Sequence, residues 1–174
     1  MTGQLVMPKW GWAIFGERPA ANELLASLAA GLLGAMAWYA SVQPPLSWRG
    51  VAAALVVADV VAGCVSNFTR STQGYYGSRP GLRWVFIAVH VHIVAFALLL
   101  NEPLRPALAV WLTTMVGAII ANRFRDSVVV GGAVLVTGLF VLSSLELPTA
   151  MAAVSFLYFV KVAFAFSTRH HPIS

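Results

Sequence analysis

Charged residues are scarce in this chain. Only 10% of its 174 residues are charged, whereas 59% are hydrophobic, and the mean hydropathy is +0.80. A typical soluble domain is roughly a quarter charged, so this chain lacks the polar surface that would cover it in water. The composition excludes a soluble globular domain and predicts an all-α, multi-pass membrane protein.

The chain has only one cysteine, and it lacks the common catalytic and metal-binding motifs. Cys64 is the single cysteine and lies inside an apolar run, which excludes a disulfide framework. The sequence has no Gly-x-Ser-x-Gly, His-Glu-x-x-His, Gly-rich phosphate loop or Cys-x-x-Cys. It therefore predicts no metal site and leaves any cofactor unknown.

Proline is excluded from the apolar runs. All nine prolines lie at the ends of these runs or between them. Because proline breaks a helix interior, this placement predicts six unbroken transmembrane helices. A span needs about 20 residues, with a minimum of about 17, so the second and fourth spans are expected to be short. The predicted spans are residues 19–42, 50–66, 82–100, 107–121, 127–145 and 149–167.

The basic residues set the predicted orientation. Eight of them lie on the side of the N-terminus, two (Arg49 and Arg105) lie on the other side, and Lys161 is inside the last span. Basic residues favour the cytoplasmic side of a membrane, so both termini are predicted to be cytoplasmic, with the chain in the cell inner membrane. The net charge of +5 is interpreted as anchoring and not as nucleic-acid binding. The eight are Lys9, Arg18, Arg70, Arg79, Arg83, Arg123, Arg125 and Arg169.

The predicted organisation has three parts. Residues 1–18 carry Trp10 and Trp12 beside Lys9, a composition typical of an amphipathic segment at the membrane interface. Residues 19–169 form the six-helix transmembrane domain, and residues 170–174 form a polar tail.

Asp59 is the most informative single residue. The chain has two aspartates, and this one lies within an apolar run, eight residues before Asn67. At 1.5 Å per residue it is about 12 Å inside the cytoplasmic edge. Helical spacing places it on one face with Gly63, Ser66 and Asn67. A carboxylate that faces lipid costs several kcal/mol, so this face is predicted to point into the bundle.

Other spans offer polar partners for Asp59. His90 and His92 are about 200° apart on a continuous helix, so they are predicted not to share a site. His92 shares its face with small residues and is predicted to point inward, whereas His90 shares its face with bulky residues. Either one could instead be a neutral imidazole bonded to a neighbouring helix.

Lys161, in the last span, has two interpretations. It can extend to the cytoplasmic interface, or it can pair with Asp59, which lies at a comparable depth. Tyr158 is one turn deeper, and Asn122 ends the fourth span. The predicted ion- or substrate-binding set is Asp59, Asn67, His90, His92, Asn122, Tyr158 and Lys161.

Five arginines in the cytoplasmic connections form a second candidate set. Guanidinium groups near a membrane bind phosphate, either of lipid headgroups or of a phosphorylated substrate. This set comprises Arg70, Arg79, Arg83, Arg123 and Arg125.

Three functions fit these observations. The first is a small transporter or channel that uses an Asp/His/Lys site open to the cytoplasm, although its spans lack the break common in ion-coupled carriers. The second is a membrane-embedded enzyme acting on a lipid or isoprenoid phosphate. The third is an accessory subunit, including one that holds haem through histidine. The expected partners are the lipid bilayer and a small molecule, ion or lipid. Small-residue faces at Ala30/Gly34 and Ala88/Ala95 could support a homo-oligomer.

Overall fold

In the part that its structure, a computed structural model, describes, residues 3–171, the named secondary-structure elements are all helices. Within that range the only β-type pairing is an isolated antiparallel bridge between Gln4 and Ala20. A 3₁₀ turn at Lys9–Gly11 precedes the helices. These are α1 (Trp12–Phe15), α2 (Ala21–Val42), α3 (Trp48–Ser66), α4 (Arg70–Gly77), α5 (Pro80–Val89), α6 (His92–Leu100), α7 (Leu104–Arg123), α8 (Val128–Ser143) and α9 (Thr149–Phe159), which continues as a π-helix over Val160–Phe166.

Five helical segments are long and apolar enough to cross a membrane, which makes this a multi-pass membrane protein. They are Ala21–Val42, Trp48–Ser66, Pro80–Leu100, Leu104–Arg123 and Thr149–Phe166. The second and fourth spans are longer than predicted, at 19 and 20 residues, because each helix begins in the preceding polar turn. The helix within the predicted fifth span, α8, is instead the short one, with 16 residues.

Hydrogen bonds between helix ends show how the long helices alternate in direction. The indole N–H of Trp38, near the end of α2, donates to the Ala150 carbonyl at the start of α9, 2.9 Å away. Arg49, at the start of α3, donates to the amide oxygen of Asn101, just after α6, also at 2.9 Å. These contacts place the end of α2 and the start of α3 at one end of the bundle.

The opposite end gathers most of the basic segments. The Arg18 amide donates to the Ser71 hydroxyl at 3.1 Å, and the Arg169 amide donates to the Arg125 carbonyl at 2.8 Å. Arg169 also forms an ion pair with Asp126 at 2.6 Å. The chain therefore brings the N-terminal segment, the α3–α5 connection, the end of α7 and the C-terminal residues together.

Two spans depart from a regular α-helix. The predicted third span is broken between α5 and α6, where His90 has φ −79° and ψ 82° and Val91 has φ −110° and ψ 11°. The prediction of six unbroken helices is therefore wrong for this span. The last span changes from α- to π-helix at Val160, and π-turns of this kind are frequent at functional sites.

The N-terminal segment packs on α4, a short helix within the connection between α3 and α5. The Tyr76 hydroxyl donates to the Ala13 carbonyl at 2.9 Å, and Thr72 donates to the Ile14 carbonyl. Burial, and secondarily the neighbouring Tyr75 hydroxyl, raises the pKa of Tyr76 to about 12, so the phenol remains a donor at neutral pH. The predicted interfacial location of this segment stays a prediction. Residues 1–2 and 172–174 of the predicted N-terminal segment and tail lie outside the described residues.

Candidate functional site

Asp59 and Lys161 form an ion pair in the middle of the bundle. The Lys161 Nζ donates to Asp59 Oδ2 at 2.6 Å and to the Asp59 backbone carbonyl at 3.3 Å. The lysine side chain is only 5% exposed, whereas the aspartate side chain is 40% exposed. Of the two interpretations of Lys161, the structure shows the one in which it faces Asp59.

Gly63 makes room for this lysine. It lies one turn after Asp59 on α3, and a Cβ atom placed on it would overlap Cε of Lys161. The lysine chain therefore crosses the helix at the one position on this face that has no side chain. The first π-helical turn carries Lys161, so an irregular backbone and a glycine together place the ammonium against the carboxylate.

The break in the third span lies beside this pair. It leaves the His90 carbonyl without its regular helical partner, and two side chains from other spans bond to it instead. The Trp111 indole N–H donates to it at 3.1 Å, and the Tyr158 hydroxyl makes a short hydrogen bond to the same oxygen. Irregular backbone is tolerated at membrane depth where protein groups satisfy it, and these two donors do so here.

The break brings the two histidines together. Their ring centroids are 5.0 Å apart, so the prediction that they cannot share a site is wrong. That prediction assumed a continuous helix with 100° between residues. His90 is buried, with Nδ1 2.5 Å from the Phe86 carbonyl. His92 lies closer to the ion pair, with Nε2 4.0 Å from Asp59 Oδ2.

A cavity of about 340 Å³ connects these groups. Its polar end is formed by Asp59, Ser66, Asn67, His90, His92 and Lys161. Its remaining wall comes from apolar and aromatic side chains of α5, from Tyr75 and Tyr76 of α4, and from Ala13 and Ile14 of α1. The cavity exists because, within residues 3–171, α3 packs closely on α6 but not on α5.

Three other predicted site residues have mainly structural contacts. The Asn67 side chain lines the cavity but donates to the Lys161 carbonyl at 3.1 Å, which fixes the π-helical turn. Tyr158 satisfies the break at His90. Asn122 lies apart from the cavity, where its amide oxygen accepts from Arg83 Nε at 2.8 Å, so the structure does not bring it into this site.

The predicted phosphate-binding arginines do not converge on one place. Arg83 is 3% exposed, and its guanidinium donates to the Phe166 and Ser167 carbonyls as well as to Asn122. This burial corrects the expectation that Arg83 contacts headgroups. Arg79 forms an ion pair with Glu17 at 2.7 Å. Arg70 and Arg123 are exposed and Arg125 is half-buried, so headgroup contact by these three stays a prediction.

No protein-family model, curated protein or solved structure matches this chain. Its function must therefore be argued from the site alone. In the described part of the chain no cluster of three or more His, Cys, Asp or Glu side chains is arranged to hold a metal ion. The arrangement can exchange protons, accept hydrogen bonds and bind a charged group.

Two further features of the site have weak signals in the sequence. Trp111 carries an indole N–H in an apolar span, and such a donor needs a partner when buried. Tyr75, Tyr76 and Phe86 are aromatic residues within one short stretch of sequence, and all three line the cavity. The break at His90–Val91 has no local signal, because neither proline nor glycine is present there.

Proposed function

We propose that this protein is a small membrane transporter whose central site is the Asp59–Lys161 ion pair with His90 and His92. The observation that carries the proposal is the break in the third span, which lies beside a buried ion pair and lines a cavity. Secondary transporters use discontinuous helices at their binding sites near the membrane midplane, and ionisable residues inside the membrane mark substrate and ion pathways.

The proposal includes a membrane topology. Five long apolar helices and the alternating contacts of the helix ends support six spans, with the shorter α8 crossing the membrane as the fifth of them. The basic segments meet at one end of the bundle, and the bias of basic residues toward the cytoplasm places both termini there. We propose the cell inner membrane as the location. The N-terminal segment lines the cytoplasmic end of the cavity through Ala13 and Ile14, so it would have to shift for the site to open on that side.

Charge movement tests this function. Purified protein in liposomes on a solid-supported membrane is exposed to jumps in pH, Na⁺, K⁺ or a small organic amine, and the transient current is compared with that of empty liposomes. We expect a protein-dependent current that Asp59→Asn abolishes and that Glu146→Gln retains, because Glu146 is an exposed carboxylate outside the cavity. Currents equal to those of empty liposomes in every jump would overturn the proposal.

The apolar wall of the cavity favours a second candidate, an enzyme acting on a lipid-like substrate. Asp59 and His92 could then exchange a proton with the substrate. Mass spectrometry of a membrane lipid extract incubated with the purified protein separates the two functions. Turnover that depends on Asp59 and occurs without charge movement would replace the transporter by the enzyme.

A further inference from the structure

Part of the cavity wall also belongs to the exposed surface of the bundle. Leu82, Val85 and Val89 line it from α5, and they are also 40%, 54% and 58% exposed. They lie in the first half of the third span. In the proposed topology, this exposed part of the wall faces the bilayer, so a molecule dissolved in the membrane would reach the cavity between α3 and α5 without first crossing the aqueous interface.

At the polar end of the cavity, the Oδ1 atom of Asp59 is a hydrogen-bond acceptor without a donor among residues 3–171. Both polar contacts of the Asp59 carboxylate, from Lys161 and from His92, are made to Oδ2. Within residues 3–171 no hydrogen bond reaches Oδ1. Both groups line the cavity, but the Lys161 side chain is 5% exposed and the Asp59 side chain 40% exposed, so a ligand has more access to the carboxylate than to the ammonium. This geometry favours a ligand that is a hydrogen-bond donor with positive charge.

The wall of the cavity suits the rest of such a ligand. Tyr75, Tyr76 and Phe86 line it, and aromatic faces attract ammonium groups as well as apolar tails. The volume of about 340 Å³ is at the lower end of ligand pockets, which run from about 300 to 1,000 Å³. A compact molecule with one tail fits this size, and a two-chain phospholipid does not.

We propose that the site takes a small amphipathic amine from the membrane, with its ammonium group on Asp59 Oδ1 and its apolar tail along α5. The two cations then share one carboxylate, with Lys161 on Oδ2 and the ligand on Oδ1. The inference deepens the proposed function, because it names the class of molecule that the transporter would carry.

Direct binding tests the inference. Tritiated octylamine is bound to the full chain in nanodiscs of neutral phosphatidylcholine and read by scintillation proximity, with unlabelled competitors that share the tail. We expect octylamine to compete and octanol and octanoate to compete at least about tenfold more weakly, since a charged hydrogen bond is worth about 1.5–3 kcal/mol. Equal competition by octanoate would mean anion binding at Lys161, and equal competition by octanol would mean no recognition of charge. Either result overturns the inference.

Variants locate the site. Asp59→Asn should reduce octylamine affinity at least about tenfold, and Glu146→Gln should not. Because Asp59→Asn can also impair folding, Val85→Trp provides an independent test at the exposed part of the wall. It should reduce binding, whereas Val136→Trp should not, because Val136 is 70% exposed on α8, away from the cavity. Unchanged binding in Val85→Trp and in folded Asp59→Asn would overturn the inference.

The two proposals fail in different ways. Specific amine binding without charge movement in liposomes refutes the transport function and leaves the amine site standing. Charge movement that depends on Asp59 but occurs in a protein that binds no octylamine refutes the amine site and leaves transport standing.

Discussion

Removing one member of the Asp59–Lys161 pair should destabilise the protein by an amount that depends on which member is left. Breaking a buried ion pair by removing one partner costs about 3–5 kcal/mol. Asp59→Asn leaves an ammonium that is 5% exposed without its counterion, so we expect a loss of about 3 kcal/mol. Lys161→Met leaves a carboxylate that is 40% exposed to the cavity, so its loss should be nearer about 1 kcal/mol.

The double variant completes the cycle. Asp59→Asn with Lys161→Met leaves no buried charge in this pair, and replacing a whole buried pair is often neutral. We therefore expect the double variant to lie within about 1 kcal/mol of the parent and to be more stable than Asp59→Asn alone. The free energy of unfolding is measured by SDS titration in mixed micelles, with Glu146→Gln as the control for a lost exposed carboxylate.

The cycle can refute the reasoning. If the two single losses add in the double variant, the groups do not interact and the 2.6 Å contact has no energetic role. If Lys161→Met is the more damaging single change, the assignment of the lysine as the more deeply buried charge is wrong.

Three further predictions concern Gly63 beside the pair and two hydrogen bonds elsewhere in the protein. Gly63→Ala should lower the midpoint of SDS unfolding, because the new methyl overlaps the buried lysine chain, and Lys161→Met in the same protein should recover part of the loss. Asn122→Ala should destabilise by about 1–3 kcal/mol, since it leaves the Arg83 Nε donor buried without its partner, and Asn122→Asp should be better tolerated in the same titration. Tyr76→Phe should raise the rate of amide hydrogen exchange in α1 several-fold. In the parent protein, a phenol with a raised pKa stabilises the folded state only while it is protonated. Protection of α1 should therefore hold below about pH 10 and be lost toward pH 12.

Much of the architecture was predictable from the sequence because it depends on composition and local pattern. Apolar runs bounded by prolines predicted an all-helical membrane protein, and five of the runs are long enough to span. The depth argument placed Asp59 and Lys161 at comparable levels, and they meet. A lone carboxylate in an apolar helix needs a cationic or hydrogen-bonding partner, and only a few residues of the other spans could be that partner.

The rest depended on contacts between distant segments. The break at His90–Val91 is held by donors from α7 and α9, so no pattern within the third span could predict it. The assumption of a regular helix then separated two histidines that the structure brings together. Arg83 was assigned to the membrane surface from its place in the sequence, whereas its carbonyl and amide acceptors come from the ends of two other spans.

The shortness of α8 bears on the surrounding bilayer. Its 16 residues extend about 24 Å, against a hydrocarbon layer about 30 Å thick, and its outer face is strongly apolar, with Val136 and Phe140 70% and 75% exposed. In the six-span arrangement, lipids beside this helix must compress or the helix must stand upright, each at a modest free-energy cost. One flank of the molecule therefore favours thinner membranes than the other, and acyl-chain length should alter how the protein tilts and distributes between lipid phases.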